Sequence, residues 1–309
     1  MLCLASCVQK VDDTTPTHDA VSPLTTTPRA FPTVSVSKPT LTPTHVSTLT
    51  PSPSAIPPSL TPIPTLAQSQ REDYWLELIS TNVGCKLPCW WGIHPAESRR
   101  QEIVNLFAPI GVQDLLPQEY YRFPISVNQI DLTNILLFFT MKDDLVSGIN
   151  VFAEQFSSYP SFARAMQRYA LNSILSEYGK PSQVILGLRS FPTEPDDPWP
   201  YRLGVFYDDV GILVYYEGTG LAHYENHIRV CPQYENVRIM DLYLQSPTSG
   251  MSLTDFVSSV SGWDIQSELE QRTMYVLEEA TDLDLAEFQA TFSLSNTTRC
   301  FETPTTIWP

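Results

Sequence analysis

The chain has 309 residues, 42% of them hydrophobic, and a formal net charge of −16. That length admits two average domains, but the opening fifth, Val8 to Ala67, is dominated by Thr, Ser and Pro, with Phe31 its only aromatic residue. Such a stretch has too little apolar surface to offset the entropy of ordering its backbone, and the acidic balance of the rest repels phosphate backbones and anionic lipid surfaces, which excludes nucleic acid as the expected partner.

At the N-terminus, Leu4-Ala5-Ser6-Cys7 resembles the bacterial lipobox: an apolar residue, two small residues and the cysteine that is lipidated. Residues 1–7 are therefore expected to be a signal-peptide remnant with Cys7 as the lipidation site. The resemblance implies an extracytoplasmic protein held to the cell membrane by its N-terminal lipid. Only six residues precede Cys7, fewer than a basic and an apolar leader region require, so the expectation includes an upstream start or a trimmed leader.

Residues 8–68 are expected to be a disordered stalk. Its prolines, dense from Pro51 to Pro64, favour extended polyproline II segments and hence a semi-rigid spacer. Asp12, Asp13 and Asp19 are balanced by Lys10, Arg29 and Lys38, so the net charge resides on residues 69–309, the expected folded domain. No stretch is long enough to span a membrane, the strongest apolar run being Ile135 to Met141, which is strand length.

Within the domain, Glu72 to Ser80 reads as a short helix, followed by Cys85-Lys-Leu-Pro-Cys89-Trp90-Trp91-Gly92-Ile93. Four domain cysteines on an exported chain predict two disulfides. Cys85 with Cys89 and Cys231 with Cys300 is the preferred pairing of three arrangements. Cys85, Cys89 and His94 as zinc ligands is the competing reading, and it lacks a second ligand cluster. Ser98 to Ala108 reads as an amphipathic helix, and the apolar runs flanking Lys142-Asp143-Asp144 as a hairpin. Ser161 to Tyr178 reads as one helix, with Phe162, Met166, Tyr169, Ile174 and Tyr178 inward and Gly179 and Pro181 as its stop. A strand at Gln183 to Arg189, a Pro-rich loop (Pro192 to Pro200) and a second hairpin (Arg202 to Tyr207, Ile212 to Glu217) follow. Val237 to Leu244 alternates as a strand; Ser252 to Val260, Ser267 to Glu279 and Asp284 to Thr291 read as helices. The order helix, strand, hairpin occurs twice, which predicts an α+β domain with an antiparallel sheet and helices packed on one face, built from two degenerate helix-plus-hairpin repeats.

The motif at 85–93, with Tyr178-Gly179-x-Pro181-x-x-Val184 and Phe206-Tyr207-Asp208-x-x-Gly211-Ile212, resembles a group of uncharacterised lipoproteins of Chloroflexota bacteria. More distantly, a helix ending in Tyr-Gly-x-Pro before sheet is similar to SmpA-like and β-lactamase-inhibitor-like modules. That likeness implies protein binding without catalysis, although the Gly-Met-Thr usual before the first helix is here replaced by His94-Pro95-Ala96-Glu97-Ser98.

The chemistry-bearing residues are few. His223 and His227 would share one face of a helix, with Cys231 a turn further, but Glu225 is misplaced for the general base of a zinc protease and the segment also reads as a loop. The pairs Asp143/Asp144, Asp196/Asp197 and Asp208/Asp209 are turn residues rather than carboxyls facing across a substrate. Asn296-Thr297-Thr298 fits a glycosylation sequon without consequence in a bacterium. Nucleophile-elbow, Walker and dinucleotide motifs are absent, and no cofactor is expected. The leading expectation is a non-enzymatic binding or envelope-associated module for a protein or glycan partner, with Trp90, Trp91, Tyr207, Tyr215 and Tyr216 as its candidate contact surface. The competing reading takes the two tryptophans as core beside the Cys85–Cys89 bridge and the tyrosines as ordinary sheet packing. A metal-dependent hydrolase using His223 and His227, and a passive envelope spacer, are the alternatives.

Overall fold

A computed structural model describes residues 65–112, 115–116, 118, 120–125, 135–154, 159–188, 200–294 and 299–308. The chain divides into two units, Met1–Ser59 and Leu60–Pro309. The first lies outside the described residues, as do the lipobox with Cys7, Asp196/Asp197 and the sequon at Asn296. The second carries the helices and strands of the described residues.

It opens with α1 (Gln68–Thr81) and α2 (Arg100–Phe107). The hairpin order then appears twice: β1 (Tyr120–Ile125), β2 (Ile135–Lys142) and β3 (Leu145–Glu154), and after two further helices β4 (Gln183–Leu188), β5 (Tyr201–Tyr207) and β6 (Ile212–Gly218). Next come β7 (Leu221–His223), β8 (His227–Val230), β9 (Val237–Gln245) and α5 (Leu253–Ser261). The remainder is α6 (Ile265–Glu270), β10 (Met274–Val276), α7 (Leu277–Ala280), α8 (Leu285–Phe292) and β11 (Phe301–Pro304). One antiparallel sheet has the order β1-β2-β3-β9-β6-β5-β4-β10, so β9 lies between the two three-stranded meanders; a smaller sheet has the order β11-β8-β7. The expected α+β class with an antiparallel sheet is what the chain adopts.

Period-two alternation assigns the two faces. Ile149 and Val151 of β3, Leu242 and Leu244 of β9, Val214 and Tyr216 of β6 and Val205 and Tyr207 of β5 point into the main core. There they meet Ile79 of α1, Ile103 and Phe107 of α2, and Phe288 of α8. The opposite face has a smaller core in which Phe206, Leu213 and Tyr243 pack under Phe256 and Val257 of α5 and Ile265 of α6. Most helices thus lie on one face, and these two cover part of the other. Gly148 permits the contact, since a Cβ there would overlap the Phe256 ring.

Two elements differ from expectation. The span 161–178 is two helices, α3 (Pro160–Met166) and α4 (Leu171–Tyr178), separated by a 3-10 turn and by Ala170 in extended conformation (ψ 152°). The span 267–279 holds the end of α6, the edge strand β10 and the start of α7, because Met274–Val276 pairs with β4. The helix ends follow capping chemistry: the Asp284 carboxylate accepts from the backbone N–H groups of Ala286 and Glu287, and Ser252 Oγ accepts from Asp255 N–H.

Candidate functional site

The cysteines pair as preferred, Cys85 with Cys89 and Cys231 with Cys300, which removes Cys85 and Cys89 from any zinc set with His94. The short loop is also held by the buried Asn82. Its Nδ2 donates to the carbonyls of Cys85 and Cys89, both at 2.9 Å, and its Oδ1 accepts from Trp91 N–H at 2.7 Å. In the chain-entropy model a bridge stabilises more as its loop lengthens. The sequence separations of 4 and 69 correspond to roughly 2 and 4 kcal/mol. Replacing Cys85 and Cys89 by Ser is expected to lower the unfolding free energy by about 2 kcal/mol, read from urea midpoints, with the fold retained through Asn82.

Four of the five aromatics expected to form a contact surface do not reach one. Trp90 and Trp91 are buried: the Trp90 ring lies 4.9 Å from that of Tyr169, and Trp91 stacks on Trp75 at 5.6 Å. Tyr207 and Tyr216 are buried because they point into the main core, where their hydroxyls donate to helix-layer carbonyls, Tyr207 to Gly179 at 3.0 Å and Tyr216 to Tyr169 at 2.8 Å. Tyr215, one residue out of phase, points to the other face, where it is half-buried with its ring 4.8 Å from Trp263.

His223 and His227 sit on a hairpin rather than a helix. His223 pairs with Ile228 across β7 and β8, so its side chain leaves the small sheet on the opposite side from that of His227. His227 stacks on Tyr224 at 4.7 Å and lies 3.5 Å from Glu302, which Arg229 also engages at 2.9 Å. The Arg229 guanidinium holds the exposed Glu302 carboxyl below the usual carboxylate range. Among the described residues no three His, Cys, Asp or Glu side chains are grouped to hold a metal ion. Asp143 and Asp144 form the β2–β3 turn with positive φ, and Asp208 accepts from Ser182 Oγ at 2.6 Å.

The residue that stands out is one that sequence reasoning missed. Asp241, at the middle of β9, retains only 8% exposure. Across the ladder it lies opposite Phe152 of β3 and Tyr215 of β6, so the three side chains share the second face. Two neutral groups donate to its carboxylate, Asn150 Nδ2 and, at 2.7 Å, Tyr243 Oη. Burial pushes its pKa up to about 7, although both hydrogen bonds pull the other way. Tyr215 Oη donates to Glu217 at 3.2 Å, and further along the same face Arg202 pairs with Glu268 at 2.9 Å. A carboxylate between aromatic side chains, titrating near neutrality, is able to take up a proton or a cation. Its signal in the sequence is one acidic residue inside the apolar strand Val237 to Gln245. The residue that meets it, Asn150, is 91 positions away, so the pair is not visible as a motif.

No family model, curated protein or solved structure matches the chain.

Proposed function

We propose that this is a lipid-anchored extracytoplasmic protein whose folded unit is a non-enzymatic binding module tethered through the Thr/Pro-rich segment. The observation that carries this reading is the pairing of all four domain cysteines into two disulfides, since such bridges persist in oxidising compartments. That pairing leaves Cys3 and Cys7 as the remaining cysteines of the chain, with Cys7 closing the Leu4-Ala5-Ser6-Cys7 sequence. No helix among the described residues is long and apolar enough to cross a membrane, so membrane attachment in this reading falls to the lipid. The hydrolase reading loses its ligand pair, because His223 and His227 leave opposite sides of one hairpin.

The test is metabolic labelling with a radiolabelled fatty acid in a bacterial host, followed by membrane fractionation. Wild type is expected to carry label and to sediment with membranes; Cys7→Ser is expected to lose both. A soluble, unlabelled wild-type chain would end the anchoring reading.

A further inference from the structure

A carboxylate removed from water requires a proton or a positive charge beside it. The hydrogen-bond partners of Asp241 are neutral, and Arg202, on the same face, pairs with another acid, Glu268. An ionised carboxyl offers about four lone-pair positions, and Asn150 and Tyr243 occupy two. On either side stand Phe152 and Tyr215, both half-buried, with Cβ positions about 5 Å from that of Asp241 as directly opposed residues in an antiparallel ladder. The faces of such rings attract cations. Glu154 lies two residues from Phe152 along the same face, and the charge of Arg202 is neutralised by Glu268. The net charge of −16 draws cations toward the chain from a distance.

We propose that Asp241, Phe152 and Tyr215 form a binding site for a primary alkylammonium group, its N–H groups donating to the free lone pairs of Asp241 and its carbon chain lying along the two rings. The inference rests on the reading of the unit as a binding module and names its ligand class. The need for N–H donors selects a primary ammonium over a quaternary one. The group has two sources, a free amine or a lysine side chain.

The test is isothermal titration calorimetry of the full chain in a neutral detergent at pH 8, where Asp241 is ionised. The probes are n-butylammonium, tetramethylammonium, potassium and Nα-acetyl-lysine amide. Butylammonium is expected to bind saturably with one site, at least about tenfold more tightly than to Asp241→Asn and roughly three- to tenfold more tightly than to Phe152→Leu. Tetramethylammonium and potassium are expected to bind more weakly than butylammonium. Comparable binding of lysine amide assigns the site to a lysine-bearing partner; binding of butylammonium alone assigns it to a free amine. Equal affinities for wild type and Asp241→Asn, or no saturation by butylammonium, overturn the proposal. Should Asp241→Asn fail to fold, an unchanged affinity in Phe152→Leu overturns it equally. Membrane association is read separately, so failure here leaves the anchoring proposal standing.

Discussion

From pH 4 to pH 7 the folded unit is expected to lose a few kcal/mol of stability through Asp241, and Asp241→Asn is expected to remove that loss. The unfolded carboxyl titrates near its ordinary value of 3.8, whereas burial raises the folded one to about 7. Between those values the folded state binds more protons than the unfolded state, so stability falls as the pH rises. The contribution is fully present below about pH 4, is lost through pH 7 and is flat above it. At about 1.4 kcal/mol for each pKa unit, the whole effect is on the order of a few kcal/mol. Exposed acids such as Glu302, whose pKa is lowered, contribute slopes of the opposite sign, and these are common to both proteins. The measurement is therefore a difference: urea midpoints of wild type and Asp241→Asn at one-unit pH steps from 4 to 8. An amide has a single acceptor oxygen for the two donors, Asn150 and Tyr243, so the variant forgoes about 1 kcal/mol of hydrogen bonding at every pH. Parallel curves for the two proteins would show that Asp241 titrates in the fold as it does in the unfolded chain, and would sink the prediction.

Trp90→Ala is expected to cost about 4 kcal/mol, as large-to-small changes at fully buried aromatic positions do. The ring is wholly enclosed, packed on Tyr169 and on Trp91 at 5.3 Å, and the loop around it is fixed independently by Asn82 and by the disulfide. The chain cannot close over the cavity without breaking those ties, so the substitution is expected to fall at the costly end of its class. Trp90→Phe should recover part of the loss. A cost below about 1 kcal/mol is what a solvent-facing ring would give, and would return Trp90 to the surface.

How much the sequence disclosed depends on the length scale of each signal. The two hairpins were legible because alternation and turn residues lie within about ten positions of one another. The break at Ala170 was not, because Phe162, Met166, Tyr169 and Ile174 all reach the core from α3, the intervening turn and α4, so the apolar pattern runs on across the interruption. β10 has three residues, too few to display a period, and is a strand because β4 offers it a free edge. Trp90 and Trp91 read both as core beside the disulfide and as a contact surface, since aromatic residues serve surfaces and cores alike; only their neighbours decide, and these place them in the core. The Asp241 site joins strands from both meanders through β9, and its local trace is a single acidic residue in an apolar strand.

That central placement of β9 has a consequence for how the chain assembles. The strands β1–β3 and β4–β6 are each contiguous in sequence and form early, with small loop-closure cost. Neither can be joined to the other until Val237–Gln245 has emerged to pair with β3 on one side and β6 on the other. Until then the chain holds two half-sheets whose inner edges carry apolar side chains and unpaired backbone groups, the arrangement most open to pairing with another molecule. Insertion of one strand closes both inner edges together and leaves only β10 to add at the β4 edge, so the joining of the two meanders is a late, concerted event governed by Val237–Gln245.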